Sequence, residues 1–108
     1  MRHATRFLIT GLLILATAGP AAAQDASDPV GGAELARTWC SGCHVVEPQQ
    51  SHGNDAVPSF AAIAAAPATT PASLHAFLAK PHGQMPDLKL SHLQIDDVVA
   101  YILSFRPR

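Results

Sequence analysis

The sequence predicts a small all-α domain of about four helices, and three observations predict it. No stretch sustains the period-two alternation of apolar and polar residues that a half-buried strand requires. Asp28, Thr70 and Ser91 each stand as a helix cap ahead of a helix candidate, and a fourth, short candidate lies between two prolines. The alanine-rich middle of the chain reads as linker and short helix, with no repeat that would signal a solenoid.

The first 23 residues stand apart from this domain. Arg2, His3 and Arg6 precede a 12-residue apolar stretch, Phe7 to Ala18, which breaks at Gly19-Pro20 and leads into Ala21-Ala22-Ala23. A basic start, an apolar middle and small residues at a cut are the anatomy of a secretory signal. The apolar stretch is shorter than the roughly 20 residues that span a bilayer, so cleavage after Ala23 is expected rather than permanent anchoring. Residues 24–108 then form one exported domain with no membrane span. At 85 residues it lies near the lower limit at which a hydrophobic core suffices without a staple, metal or cofactor.

The first helix is expected from Pro29 to Cys40. Asp28 is its cap and Pro29 takes the first helical position, where a missing N–H costs nothing. Gly32, Ala36 and Trp39/Cys40 fall on one face, nearly bare at its first two positions, which permits another helix to approach closely. The competing reading, that Gly31-Gly32 merely frays the helix start, fits the spacing equally well. Residues 45–57 show no period and carry Pro48, Gly53, Asn54 and Asp55, which marks a loop. "PSFAAIAAAP", Pro58 to Pro67, is the short proline-bounded candidate. Thr70 then caps a helix from Pro71 to Lys80, with Leu74, Phe77 and Leu78 as its apolar residues and Pro81 as its stop. Ser91 and Gln94 form a capping box before Ile95, Val98, Val99, Ile102 and Phe105, which predicts a last helix over about His92 to Phe105 with Asp96, Asp97 and Ser104 turned elsewhere.

Charge excludes one class of partner. Residues 24–108 hold five Lys/Arg against eight Asp/Glu, a balance of −3, whereas nucleic-acid binding needs a basic patch.

Both cysteines lie in "RTWCSGCHVVEPQ", two residues apart, with His44 directly after Cys43. A zinc site would need a second Cys or His pair, and His52, His75, His82 and His92 do not form the short spacing that completes one. A thioredoxin-type dithiol needs a βαβ setting with its thiol at a helix start. Here the pair closes a predicted helix, where the macrodipole disfavours a thiolate. A disulfide across two residues would close a loop too small to stabilise much. The remaining reading uses every residue: Cys40 and Cys43 attach haem c by thioethers, and His44 is held beneath the iron as proximal ligand.

The sixth iron position separates electron transfer from chemistry on a bound molecule. Met85, the one methionine outside the leader, sits in the turn-rich "KPHGQMPDLKLS" with Pro86 fixing the chain after it. It is the candidate distal ligand. His82, nearest in the chain, and His52, His75 and His92 are its competitors.

These residues resemble the class I, single-haem c-type cytochromes over nearly all of 28–107: Gly32 ahead of "CSGCH", "VPSF" in the middle, "QMP" later, and a final "IDDVVAYI" helix. The resemblance implies a helical bundle wrapped around one covalent haem, with first and last helices crossing where Gly32 meets Tyr101. Ala36 stands where the first helix of such proteins often has an aromatic. It also implies that the Pro58 carbonyl accepts the ring N–H of His44, which would fix the tautomer and raise ligand basicity. Phe60, Ile63, Leu74, Leu78, Leu90 and Val99 are the expected apolar wall. The implied function is that of a periplasmic electron carrier with no catalytic residues, accepting from a dehydrogenase or membrane complex and donating to an oxidase or reductase. Two other readings remain: a dedicated haem subunit of a periplasmic dehydrogenase, or, with Met85 off the iron, a gas sensor or weak peroxidase.

Overall fold

The computed structural model describes residues 19, 26–80 and 83–108. The expected cleavage site at Ala23 and the competing ligand His82 lie outside the described residues. Within them the chain forms α1 (Pro29–Trp39), α2 (Phe60–Ala65), α3 (Pro71–Leu78) and α4 (His92–Leu103), with no β-strand.

Each helix begins where its cap dictates. Asp28 accepts from the Val30 N–H at 2.9 Å, with Pro29 at the first position. Ser59 takes the Ala62 N–H at 3.1 Å, so α2 starts at Phe60 and not at Pro58. Thr70 and Ser73 form a reciprocal capping box, as do Ser91 and Gln94. The ends fall one or two residues short of expectation, for local reasons. Ala66 precedes Pro67, whose ring drives its neighbour out of the helical region, and its ψ is 131°. Cys40, Ala79 and Ser104 close their helices as caps.

The last helix is the spine of the bundle: α1, α2 and α3 all pack on it. Its buried stripe of Ile95, Val98, Val99 and Ile102 joins Ala36, Phe60, Ala64 and Leu74 in one core. The α1–α4 crossing is close because Gly32 has no side chain; a Cβ there would stand 2.0 Å from the Asp97 carbonyl oxygen and 3.0 Å from the Tyr101 Cβ. Gly31-Gly32 is therefore ordered helix at a contact point and not a frayed start. Ala36, in place of an aromatic, is fully buried and leaves the crossing tight. Asp97 is not simply turned to solvent, since its Oδ1 accepts the Asp28 backbone N–H at 2.7 Å and ties the two helices at that end. At the other end Arg106 donates to the carbonyls of Ala64 (3.1 Å) and Thr69, fastening the C-terminus over α2.

Candidate haem-binding site

The segment after α1 folds back in a single tight turn: His44 N–H bonds the Cys40 carbonyl at 2.9 Å and Cys43 N–H reaches the same oxygen at 3.2 Å. That turn presents both sulfurs and the imidazole from five consecutive residues. Cys40 is buried and Cys43 exposed, and neither is in a disulfide. Burial pushes the Cys40 thiol up to about 11, so it stays protonated at neutral pH, the opposite of what a redox dithiol needs.

His44 is oriented by the loop that follows. Its Nδ1 donates to the Pro58 carbonyl at 2.6 Å, the carbonyl fixing the tautomer because it can only accept. Nε2 is then the nitrogen that can face a metal. Phe60 packs against the ring at 5.7 Å between centroids, and Tyr101 meets Phe60 edge-on at 6.1 Å, which links the imidazole to α4.

The loop over residues 45–57 wraps round this turn with its own hydrogen bonds. Asn54 N–H bonds the Cys43 carbonyl at 2.8 Å and Phe60 N–H the Val45 carbonyl at 3.0 Å. Gly53 is required here, because a Cβ would come 2.8 Å from the Val45 side chain and 3.2 Å from its backbone nitrogen. Val46 is fully buried and its carbonyl accepts the Tyr101 hydroxyl at 2.6 Å. Desolvation, then the Glu47 carboxylate, raises the Tyr101 hydroxyl above its ordinary range, so it remains a donor at neutral pH. The sequence offers no spacing signal for any of these contacts.

Met85 shares two cavities with this turn. A cleft of about 170 Å³ runs between the Cys40–His44 turn and the Gln84–Pro86 segment, with Trp39 and Leu88 at its edges. Beside it an apolar pocket of about 40 Å³ is walled by Phe60, Ile63, Leu74, Leu78, Val98 and Ile102. Cys40, His44 and Met85 line both. Four of the six expected wall residues are thus in place. Val98 stands where Val99 was expected, since one residue turns an α-helix by about 100°; Val99 instead lines a surface hollow with Asp28, Pro71 and Leu93. Leu90 packs on the core from outside the pocket.

The other described histidines are elsewhere. His75 Nδ1 bonds Asp96 at 2.8 Å and its Nε2 meets His92 Nδ1 at 3.2 Å, between α3 and α4. His52 lies beside Gln49 and Ser51 on another face. Two thiols on one turn, an imidazole whose Nδ1 is engaged by Pro58 and a thioether lining the same apolar pocket form a donor set that fits a haem of the covalent type.

Comparison with known proteins agrees. The family described as "Cytochrome C oxidase, cbb3-type, subunit III" matches residues 27–102. Cytochrome c-552 of Bradyrhizobium diazoefficiens is 42% identical over 95 residues, 88% of this chain and 91% of that one. The chain belongs to the class I, single-haem c-type cytochromes. No solved structure is significantly similar to it. As a c-type cytochrome it carries covalent haem c and transfers electrons between redox partners. Among the described residues no helix is long and apolar enough to cross a membrane.

Proposed function

We propose that this cytochrome is a periplasmic electron carrier in which Cys40 and Cys43 hold the haem by thioethers while His44 and Met85 ligate its iron. The observation that supports it best is the convergence of Cys40, His44 and Met85 on one apolar cavity, with His44 Nδ1 already engaged by Pro58. The haem supplies the one-electron ferric–ferrous couple. The chain supplies the rest. The Pro58 carbonyl holds the imidazole plane and makes Nε2 a stronger donor. The Met85 thioether favours the ferrous state and raises the potential. Phe60, Leu74, Val98 and Ile102 exclude water, so little reorganises on electron exchange. No nucleophile or general base is called on, and the protein acts as a carrier and not as an enzyme. The leader, residues 1–23, directs export and is removed.

Docking in this reading is of the weak, redox kind, burying less than about 1,200 Å². The balance of −3 over residues 24–108 suits a basic face on the partner, with part of the acid already engaged inside the chain. Glu47 is paired with Arg37 at 3.2 Å, Asp96 with His75 at 2.8 Å, and Asp97 holds the Asp28 N–H. No carboxylate, lysine or arginine is among the side chains that line the cleft from Trp39 to Leu88. A second reading rests on the name of the matching family, which is that of an oxidase subunit: the chain would then stay bound to one enzyme, and it would copurify with that enzyme at fixed stoichiometry.

The test is extraction of the denatured holoprotein with acidified organic solvent, followed by optical spectra of the intact protein in both oxidation states. Colour retained by the polypeptide, and a ferric sulfur-to-iron band that disappears on reduction, are the expected results. Haem leaving with the solvent overturns the thioethers, and a ferric spectrum without that band overturns Met85.

A further inference from the structure

We infer that Gln50 is a positioning residue for the proximal ligand: its side-chain amide clamps the backbone of the Cys40–His44 turn and thereby sets where His44 stands. This rests on the haem reading above and assigns a role to a residue that neither the binding motif nor the family resemblance singles out.

The Gln50 amide is half-buried inside the loop and makes four contacts. Its Oε1 accepts the Val46 N–H at 3.0 Å. Its Nε2 donates toward the carbonyls of Ser41 at 3.0 Å, His44 at 2.7 Å and His52 at 2.6 Å. The amide has one orientation only, because a backbone N–H can only donate and three carbonyls can only accept; a flipped group would lose all four. Two N–H groups shared among three carbonyls require one to be bifurcated.

The acceptors are not scattered. Ser41 follows the first cysteine and His44 is the ligand itself, so a single side chain ties both ends of the haem-binding turn to residue 52 on the returning strand of the loop. The other carbonyls nearby are spoken for: Cys40 by His44 N–H, Cys43 by Asn54 N–H, Val45 by Phe60 N–H, Val46 by the Tyr101 hydroxyl. The His44 carbonyl receives its bond from Gln50. His44 is therefore held at two points, at the ring by the Pro58 carbonyl and at the backbone by Gln50. Loosening the backbone point lets the ring shift off its line to the iron even with the Pro58 bond intact.

Two variants of the holoprotein test this. Gln50→Ala removes the clamp. Gln50→Glu keeps the shape and the acceptor for Val46 but removes the donors to the three carbonyls. Covalent haem content is measured first, because its loss in wild type refutes the haem reading and not this inference. In Gln50→Ala we expect a shifted reduction potential and faster exchange of the Val46 amide by about tenfold, the scale of losing its one modest hydrogen bond to Gln50. In Gln50→Glu the potential and the iron–histidine vibrational band are expected to shift as in Gln50→Ala, while the Val46 amide keeps its acceptor and exchanges nearly as in wild type. A wild-type potential and band in either variant overturns the inference. If Gln50→Ala does not accumulate, Gln50→Glu decides alone.

Discussion

Replacing Gly32 with alanine puts one methyl group at the contact on which the bundle depends. Built on the existing backbone, that Cβ stands 2.0 Å from the Asp97 carbonyl oxygen and 2.5 Å from its carbon, where Cβ contacts below 3.0 Å essentially never occur. The obstructing atoms are backbone, so no rotamer change relieves them, and α1 must part from α4 by about 1 Å. Overpacking of this kind costs about 1–3 kcal/mol. Parting the helices also stretches the Asp28–Asp97 bond at 2.7 Å and the Tyr101–Val46 bond at 2.6 Å, each contributing about 1 kcal/mol. Against this, alanine gains about 1 kcal/mol of helix propensity over glycine. The clash wins, by about 2–4 kcal/mol, which for a domain of this size lowers Tm by about 8–30 °C. Gly31→Ala is the control. There the nearest atom is Oδ2 of Asp28 at 2.8 Å, a side-chain atom that can shift where the Asp97 backbone cannot, so the cost, a disturbed cap on Val30, is smaller than at Gly32 and partly offset by propensity. Thermal unfolding of both holoproteins, followed by far-ultraviolet circular dichroism, makes the comparison. A Gly32→Ala protein melting with wild type, or below-wild-type melting confined to Gly31→Ala, refutes the crossing as described.

Three further outcomes are expected. Met85→Ala lowers the reduction potential and admits carbon monoxide to the ferrous protein, since a thioether that favours ferrous iron is gone; an unchanged potential without carbon monoxide binding points to a histidine ligand instead. Tyr101→Phe leaves the carbonyl of fully buried Val46 without its partner and destabilises by about 1–3 kcal/mol in denaturant unfolding. Because the folded Tyr101 hydroxyl is raised, its contribution is fully present below the ordinary tyrosine value near 10 and is lost as pH rises through the folded value, so wild type and variant converge in stability only in strong alkali. Electron transfer to a purified cationic partner is expected to slow only weakly with added salt, because Glu47 is paired with Arg37 and no carboxylate lines the cleft; a steep fall across a salt series refutes that assignment.

What the sequence disclosed was whatever depends on near neighbours. Caps at Asp28, Thr70 and Ser91 act within three residues, and α4 could be read because Ser91 and Gln94 bond each other. The Cys40–His44 turn is local in the same sense. The register of α4 against the cavity was less legible, because Val98 and Val99 are both buried and only the direction of neighbouring helices decides which faces inward. Gln50 was not legible at all. One polar residue in an aperiodic loop carries no pattern, and its four partners are identified only when residues 41, 44, 46 and 52 are brought within reach of one amide.

The contacts that stabilise the bundle and those that orient the His44 imidazole form one chain of atoms. Gly32 sets how near α4 lies, and α4 carries Tyr101, whose hydroxyl fixes the Val46 carbonyl. Val46 in turn donates to Gln50, which holds the His44 backbone, while the Tyr101 ring supports Phe60 against the imidazole. A displacement of α4 therefore reaches His44 by two routes, one through hydrogen bonds and one through packed rings. Packed elements of this kind shift in discrete steps and transmit strain rather than absorb it. That makes the α1–α4 crossing, remote in sequence from the haem motif, part of what holds the proximal side of the site rigid, which is the property an electron carrier needs when its iron changes charge.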